Sequence, residues 1–393
     1  MDELRHGIAL DRDRVKIACA FGTRPEIIKL FPLIHELKRR SDRFDLTTIS
    51  TDQHVELLDP FLALFQIEPD FSLKAMQPGQ SLNALVARIV ERIDPILERI
   101  QPDLLLVQGD TATAFAAAIA AWNRGVPLGH VEAGLRTNQA DNPYPEEMYR
   151  RVIDRMAHLC FAATPGNVAN LAKEGVEAWR IFLTGNTIVD ALHHILRSSH
   201  PSATLAQLFD EIAGRRVIVL TAHRRETTTE ELRAHLQALR YFLTLHPGYA
   251  LVFPVHYSPR IREVAHAVLD GVPWVRLIEP LDYADFIQLL ARAWLVVSDS
   301  GGIQEEAPTL RKRLLILRRN TERPEVLDHG AARLAGDGGT LAAMLDALAV
   351  DDSWIRRAGG QANPFGTGDS AVRIAEAIAG HYAGAASREP AHQ

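Results

Sequence analysis

The chain has little from which to build a disulfide framework or a zinc site. Its cysteines number 2, Cys19 and Cys160, and each sits inside an apolar run where a thiol serves as a small buried hydrophobe. No apolar stretch approaches the roughly 18 residues that a membrane span needs, so no membrane partner is expected. Basic residues are not in excess either: 43 Lys and Arg stand against 49 Asp and Glu, for a formal net charge of -6. A general nucleic-acid binder would normally carry the opposite sign. The start, Met1-Asp2-Glu3, lacks a basic segment followed by an apolar one, so no secretion signal is read there and a cytoplasmic location is the expectation. Finally, Gly22-Thr23-Arg24-Pro25 stands where a G-x-G-x-x-G run would follow the first strand, which disfavours a nicotinamide cofactor and hydride transfer.

What is present is a duplicated α/β pattern. The 393 residues exceed one ordinary core and fit two domains. Short β-rich runs recur at Val15–Phe21, Leu46–Ser50, Asp103–Gln108, Pro127–Val131, Leu159–Ala163 and Ile181–Thr184. They recur again at Arg216–Thr221, Leu251–Val255, Trp274–Ile278, Leu295–Ser298 and Leu314–Leu317. Helical patterns lie between them. This alternation, with strands apolar almost throughout, predicts two Rossmann-like, doubly wound parallel-sheet units. The hinge is placed near Asn186, dividing the chain into 1–186 and 187–368. Ligands on such sheets bind beyond the carboxyl ends of the strands, so two facing units would form a cleft lined by post-strand loops. Residues 1–14 and the tail from about Gly384 are expected to fray.

The chemistry-bearing residues follow strands. Asp299-Ser300-Gly301-Gly302-Ile303-Gln304-Glu305-Glu306 turns from a strand into a helix, and the bare N–H groups of such a corner attract phosphate. Glu306, one turn on, is placed to reach ribose hydroxyls. Gly22-Thr23-Arg24-Pro25-Glu26 is a similar corner, continuing as a helix through Lys29. In Gln108-Gly109-Asp110-Thr111, Asp110 or Thr111 serves equally as a helix N-cap. His130-Val131-Glu132-Ala133-Gly134-Leu135-Arg136-Thr137 brings a carboxylate and a guanidinium to the next strand end, open to a structural ion pair or a site role. In Pro143-Tyr144-Pro145-Glu146-Glu147, a proline at the first helical position precedes two acids, and Glu146 to Arg150 is an i,i+4 step. His223-Arg224-Arg225-Glu226 reads as an anion pocket, His256 as a packed or a functional histidine, and Arg318, Arg319, Glu322, Arg323 and Glu325 as a solvated loop network.

Three carboxylates, Asp110, Glu132 and Glu146, thus come from consecutive post-strand segments of the first unit. Like charges crowded together raise at least one pKa, which a general acid beside a general base requires near neutral pH. That arrangement suits proton transfer at a sugar carbon. Arg24, Lys29 and His223 are the cations placed to stabilise a departing nucleoside diphosphate.

In this order, Phe21-Gly22-Thr23-Arg24-Pro25-Glu26, Gly109-Asp110-Thr111, His130 to Thr137, Pro145-Glu146-Glu147, Thr184-Gly185-Asn186-Thr187, His223 to Glu226 and Asp299 to Glu306 resemble the non-hydrolysing UDP-N-acetylglucosamine 2-epimerases. The resemblance runs from about Val15 to Gly380. It implies the fold of the B-type glycosyltransferases, with a C-terminal helix, here Ala371–Ala379 within about 369–393, returning to the first domain. It implies reversible epimerisation at C2 of UDP-N-acetylglucosamine to UDP-N-acetylmannosamine through a 2-acetamidoglucal, with no cofactor and no metal, in a homodimer.

By the same resemblance Asp110, Glu132 and Glu146 are acid/base groups, and His223, Arg24, Lys29, Arg136 and Arg150 meet phosphate or sugar. Ser300, Gly301 and Gly302 would bind the diphosphate, Glu306 the ribose, and Phe286 would lie beside the uracil. Gln53, His54, Gln80 and His256 fit a second, activating UDP-N-acetylglucosamine, although Gly79 stands where some members have Arg. Asp52 replaces a usual small residue, and Met148-Tyr149 replaces the usual Asn before Arg150, which bears on the sugar's C3 or C6 substituents. The alternatives are a 2-epimerase for a modified UDP-sugar, a hydrolysing 2-epimerase, a B-type glycosyltransferase and, disfavoured because all three carboxylates are present, a non-enzymatic nucleotide-sugar sensor.

Overall fold

The computed structural model describes residues 14–53, 55–224 and 227–386. Runs that are apolar on both faces can be buried on both faces only in a sheet covered by helices on each side, and two such sheets form. The first contains β1 (Val15–Phe21), β2 (Phe44–Ser50), β3 (Phe71–Ser72), β4 (Leu104–Gln108), β5 (Leu128–Ala133), β6 (Leu159–Ala162) and β7 (Ile181–Leu183). Its order is β3-β2-β1-β4-β5-β6-β7, all parallel. The second contains β8 (Arg216–Thr221), β9 (Tyr249–Pro254), β10 (Val275–Ile278), β11 (Leu295–Ser298), β12 (Leu314–Ile316) and β13 (Ala332–Leu334). Its order is β10-β9-β8-β11-β12-β13, again all parallel.

The fold class is therefore the expected one, two parallel-sheet α/β units. One compact unit runs to Ala191 and takes the chain up again at Gly366; the other is Leu192–Phe365. The division falls within the helix Thr187–Ser198. Strands β3 and β13 went unread because two or three residues at a sheet edge are too short to show a pattern.

In the first unit the helix Ala112–Asn123 is buried on nearly every side, with Ala114, Ala117, Ala118 and Ala121 fully inaccessible. Alanines let it lie close to β4 and to the stripe Ile89, Ile93 and Leu97 of the helix Leu82–Ile100. Truncating Ile93 to alanine in such a core costs about 2–5 kcal/mol. The last helix runs from Ser370 to Ala386, longer than the expected Ala371–Ala379 and through Gly384, where the tail was expected to fray. Its start is capped by Asp190, which accepts from the backbone N–H groups of Ser370 and Ala371 at 3.2 and 3.0 Å. Near its end Tyr382 donates to the Asp103 carbonyl at 2.7 Å.

That helix also packs His381 against His158, whose ring meets those of Trp179 and His381 edge-on at 5.1 Å each. Burial first, then the charges of His381 and Arg180, push the His158 pKa from 6.5 down to about 4 against the opposing pull of Glu177. The folded imidazole thus refuses a proton that the unfolded chain accepts. This share of the stability is intact above pH 6.5 and is lost as pH falls toward 4. His158→Phe is expected to flatten the decline of the urea midpoint across that interval; a slope equal to that of the parent would contradict the coupling.

Candidate functional site

In the first sheet β1 and β4 are neighbours whose connections depart in opposite directions, leaving the turns after both strands uncovered at the switch point. Gly22 and Thr23 form the first turn, and Thr23 caps the helix Arg24–Arg39 in a capping box with Glu26. The backbone N–H groups of Gly22 and Thr23 donate to Glu26 Oε2 at 2.9 and 2.8 Å, and the Thr111 hydroxyl, from the turn after β4, donates to Oε1 at 2.6 Å. One fully buried carboxylate thus ties the two turns together. Burial drives its pKa from 4.5 up to about 7, against the lowering effect of these hydrogen bonds. Arg24, at the start of the same helix, is exposed.

The carboxyl end of β5 is built differently. The pairing of β5 with β6 slips between Val131 and Ala133, and Glu132 at the slip has φ 72. A bulge carrying a left-handed non-glycine residue re-aims its side chain and stores strain. The Glu132 carboxylate consequently receives the Lys29 ammonium and the Gln108 amide in short contacts, with Asn186 Nδ2 at 3.4 Å. Its Oε2 lies 3.7 Å from where a Cβ on Gly109 would stand, beside the turn that carries Asp110.

Asp110 is paired to Arg150, whose guanidinium also reaches Glu147 at 3.4 Å. This corrects one expectation: Pro145 is the N-cap of the helix Glu146–Met156 rather than its first residue. The ion-pair partners of Arg150 are Asp110 and Glu147. The helix phase is the reason: Glu147, Arg150 and Asp154 form its buried face, and Glu147 also accepts from the Thr137 N–H at 3.0 Å. Glu146 is half-buried at the rim. Its pKa is raised, first by burial and then by the charge of Asp110, against its own backbone hydrogen bond and Arg150.

Asp110, Glu132 and Glu146 with Lys29 and Arg150 therefore gather at the carboxyl ends of β4 and β5. Arg136 is directed elsewhere. Its buried guanidinium is held by Glu174 at 2.8 and 2.6 Å and by Asp154 at 2.8 Å. Two unusual residues are also occupied. Asp52 accepts from the Ser50 and Ser72 hydroxyls and, at 3.0 Å, from the Lys74 N–H, joining β2 to β3. Tyr149 stacks on Phe115 with ring centroids 4.2 Å apart.

In the second sheet β8 and β11 occupy the equivalent central position. Asp299, after β11, accepts from the backbone N–H groups of His223 and Arg224 at 3.0 Å each, and the His223 ring lies 3.3 Å from it. Burial alone would raise the Asp299 pKa, but the His223 side chain and these N–H groups outweigh it and hold it low. Ser300 N–H donates to Ser298 Oγ at 2.9 Å, and Gly302 caps the helix Ile303–Thr309. Glu306, on that helix, accepts from the Tyr283 hydroxyl at 2.8 Å. Phe286 stands one turn along the helix from Tyr283.

The charged segment after β12 is not the solvated network expected. Glu322 and Arg323 side chains are each 11% exposed and paired at 2.7 Å, with Arg318 on Glu322 at 2.8 Å. A Cβ at Gly301 would come within 3.0 Å of Arg323 and of Glu322, so the network packs directly under the Ser300–Gly302 turn. Burial would raise the Glu322 pKa, yet Arg323 and Arg318 bring it down to about 2. Arg319 alone of that set stays in water, at 84% side-chain exposure.

Of the residues assigned to a second ligand, Gln53 accepts from the Thr113 hydroxyl at 2.9 Å and Gln80 from Arg88. His256 accepts from the Ser258 N–H at 3.1 Å, its ring centroid 6.1 Å from that of His223. His54, Arg225 and Glu226 lie outside the described residues. Among the described residues no group of three or more His, Cys, Asp or Glu is placed to hold a metal ion, and no helix is long and apolar enough to cross a membrane.

A family model for UDP-N-acetylglucosamine 2-epimerase matches residues 35–379. The chain belongs to the UDP-N-acetylglucosamine 2-epimerase family. The Salmonella typhimurium UDP-N-acetylglucosamine 2-epimerase is 41% identical over 370 residues, covering 93% of this chain and 98% of its own length. The Bacillus subtilis protein of that name is 40% identical over 372 residues, covering 94% and 96%. The Neisseria meningitidis UDP-GlcNAc 2-epimerase, solved with UDP-GlcNAc bound, superposes with a TM-score of 0.84 at 36% identity over 93% of this chain and 99% of its own. The Methanocaldococcus jannaschii enzyme, solved with UDP-GlcNAc and UDP, gives 0.77 at 30% identity over 93% and 99%.

Sequence reasoning assigned no role to the groups that hold this epimerase-family site in place: Glu26, Gln108, His130, Asp154 and Asp299. Gln108, His130 and Asp299 stand at strand ends, whereas Glu26 and Asp154 lie within helices, and which partners they would meet depends on tertiary packing. Gly22 belongs with them. A Cβ there would stand 1.9 Å from Thr51 Oγ1 and 2.5 Å from Thr113 Oγ1, two hydroxyls already bonded to each other at 2.7 Å. Gly22→Ala is expected to lower stability by about 1–3 kcal/mol through overpacking; an unchanged urea midpoint would contradict the close approach.

Proposed function

We propose that this chain interconverts UDP-N-acetylglucosamine and UDP-N-acetylmannosamine. A carboxylate removes the C2 proton, the C2–H electrons form the C1=C2 bond of a 2-acetamidoglucal, and the C1–O bond breaks to release UDP. UDP then re-adds at C1 while a proton is delivered to the opposite face of C2. The supporting observation is the gathering of Asp110, Glu132 and Glu146 with Lys29 and Arg150, in which burial and the charge of Asp110 raise the Glu146 pKa. A raised carboxyl pKa suits the proton donor, and a paired carboxylate suits the base.

The remaining roles follow from chemistry. Arg24, Lys29 and His223 offset the charge that develops on the leaving diphosphate, and Asp299 orients His223. Ser300, Gly301 and Gly302 bind the diphosphate, Glu306 the ribose hydroxyls, and Phe286 the uracil face. Arg136 acts at a distance, by holding Asp154. Gln53, His54, Gln80 and His256 take a second UDP-N-acetylglucosamine, and the working form is a homodimer in the cytoplasm.

Incubation with UDP-N-acetylglucosamine in deuterated water, followed by NMR, tests the reading. Deuterium at C2 with the UDP linkage retained is the expected result. Release of free N-acetylmannosamine, or no exchange unless an acceptor is supplied, would establish a hydrolysing enzyme or a glycosyltransferase instead. Asp110→Asn, Glu132→Gln and Glu146→Gln should each reduce kcat by about 100-fold or more while UDP binding survives. Wild-type turnover in all three would remove the assignment. Glu306→Ala should weaken UDP binding about tenfold; equal affinity, measured by calorimetry, would end its ribose role.

A further inference from the structure

Beneath the acid cluster lies a second, fully buried set of charged groups that the reaction itself does not use. Asp154, on the helix that begins with Glu146, has its Oδ1 2.6 Å from His130 Nδ1, and its Oδ2 accepts from the Gly134 N–H at 3.1 Å and from Arg136 at 2.8 Å. The side chains of His130 and Asp154 are both 0% exposed. The far ring nitrogen of His130, Nε2, donates to the Gly109 carbonyl at 2.8 Å. Residues 130, 134 and 136 flank Glu132, the residue at φ 72 where β5 slips against β6.

A left-handed conformation in a non-glycine residue is strained and persists only where its surroundings over-determine it. Asp154 supplies that determination on both sides of Glu132. On the far side, Gly134 is clamped again: at φ 85, a Cβ would lie 2.4 Å from the Asn167 carbonyl, while Asn170 Nδ2 donates to the Gly134 carbonyl at 3.0 Å. On the near side, His130 carries the hold across to Gly109, the residue before Asp110. The helix supplying Asp154 also supplies Arg150, one turn earlier, and Glu146, one turn before that. One carboxylate therefore links the three segments that carry Asp110, Glu132 and Glu146.

We propose that Asp154 is a positioning residue which holds Glu132 in its left-handed conformation and, through His130, fixes the Gly109–Asp110 turn, so that the acid/base carboxylates keep one geometry. This rests on the epimerase reading. Asp154→Asn leaves one acceptor oxygen where three donors converge, and small displacements of reacting groups are costly: kcat should fall roughly 10- to 100-fold. KM and UDP affinity should change by less than about threefold, a split that a general loss of structure would not produce. Because part of the Asp154 effect passes through Glu132, the same substitution in a Glu132→Gln background should cost less than it does in the parent protein.

His130→Asn cuts only the branch to Gly109 and should show the same fall in kcat with KM retained. A crystal structure of the Asp154→Asn protein supplies a readout independent of activity. Glu132 should leave the left-handed region and Lys29 should lose its contact with it. Wild-type kcat in either variant, a fully additive loss with Glu132→Gln, or Glu132 still near φ 72 in the variant would each overturn the proposal. Failure of the epimerase reading has a different signature: the parent protein would exchange no C2 proton, whatever the Asp154→Asn structure showed.

Discussion

A carboxylate taken out of water must be met by cations or N–H and O–H donors, or it is among the most expensive groups a fold can contain. The first unit places several at one end of its central strands. Glu26 is met by two backbone N–H groups and a hydroxyl, Glu147 by Arg151, Arg150 and two backbone N–H groups, and Asp154 by His130, Arg136 and a backbone N–H. Asp110 and Glu132 are closer to the surface and are paired with Arg150 and Lys29 respectively. These pairings fix where each acid points. At such separations a charge pair in a surface-like environment is worth about 4 kcal/mol before desolvation is subtracted, so losing one partner repositions the rest.

Electrostatic differentiation follows from the same geometry. Glu146, half-buried and facing the charge of Asp110, is pushed toward its protonated form, while Glu132 is held against an ammonium and two amides. Two carboxyl groups of the same intrinsic acidity are thus prepared for opposite tasks in the proposed reaction. In the second unit the pattern recurs with other chemistry. A buried acid, Asp299, orients a histidine on the neighbouring strand end, and the Arg318, Glu322 and Arg323 cluster supports the Gly301 turn from beneath.

Much of this was legible in the sequence. Strands buried on both faces leave apolar runs, and Val15–Phe21, Arg216–Thr221 and Leu295–Ser298 were read with the bounds observed. The three carboxylates were legible because each follows such a run. Partner identity was not. Lys29 lies 103 residues from Glu132, and whether Glu146 or Glu147 turns inward depends on helix phase, set by Pro145 as the cap. The slip in β5 leaves no mark in residue types, and the strand was read as ending at Val131, although it continues through Glu132 to Ala133. The Arg318–Glu325 segment looked solvated because its composition is charged, whereas pairing among its members is what lets it be buried.

The central claim, that environment divides acid from base among these carboxylates, is tested most directly by the pH–rate profile of C2-proton exchange in the parent protein and in Glu146→Gln. A proton donor with a raised pKa stays competent above the ordinary carboxylate value of 4.5 and fails as pH climbs past its own. The parent profile should therefore carry an alkaline limb that the residual activity of Glu146→Gln lacks. An alkaline limb unchanged in position and depth in the variant would contradict the account.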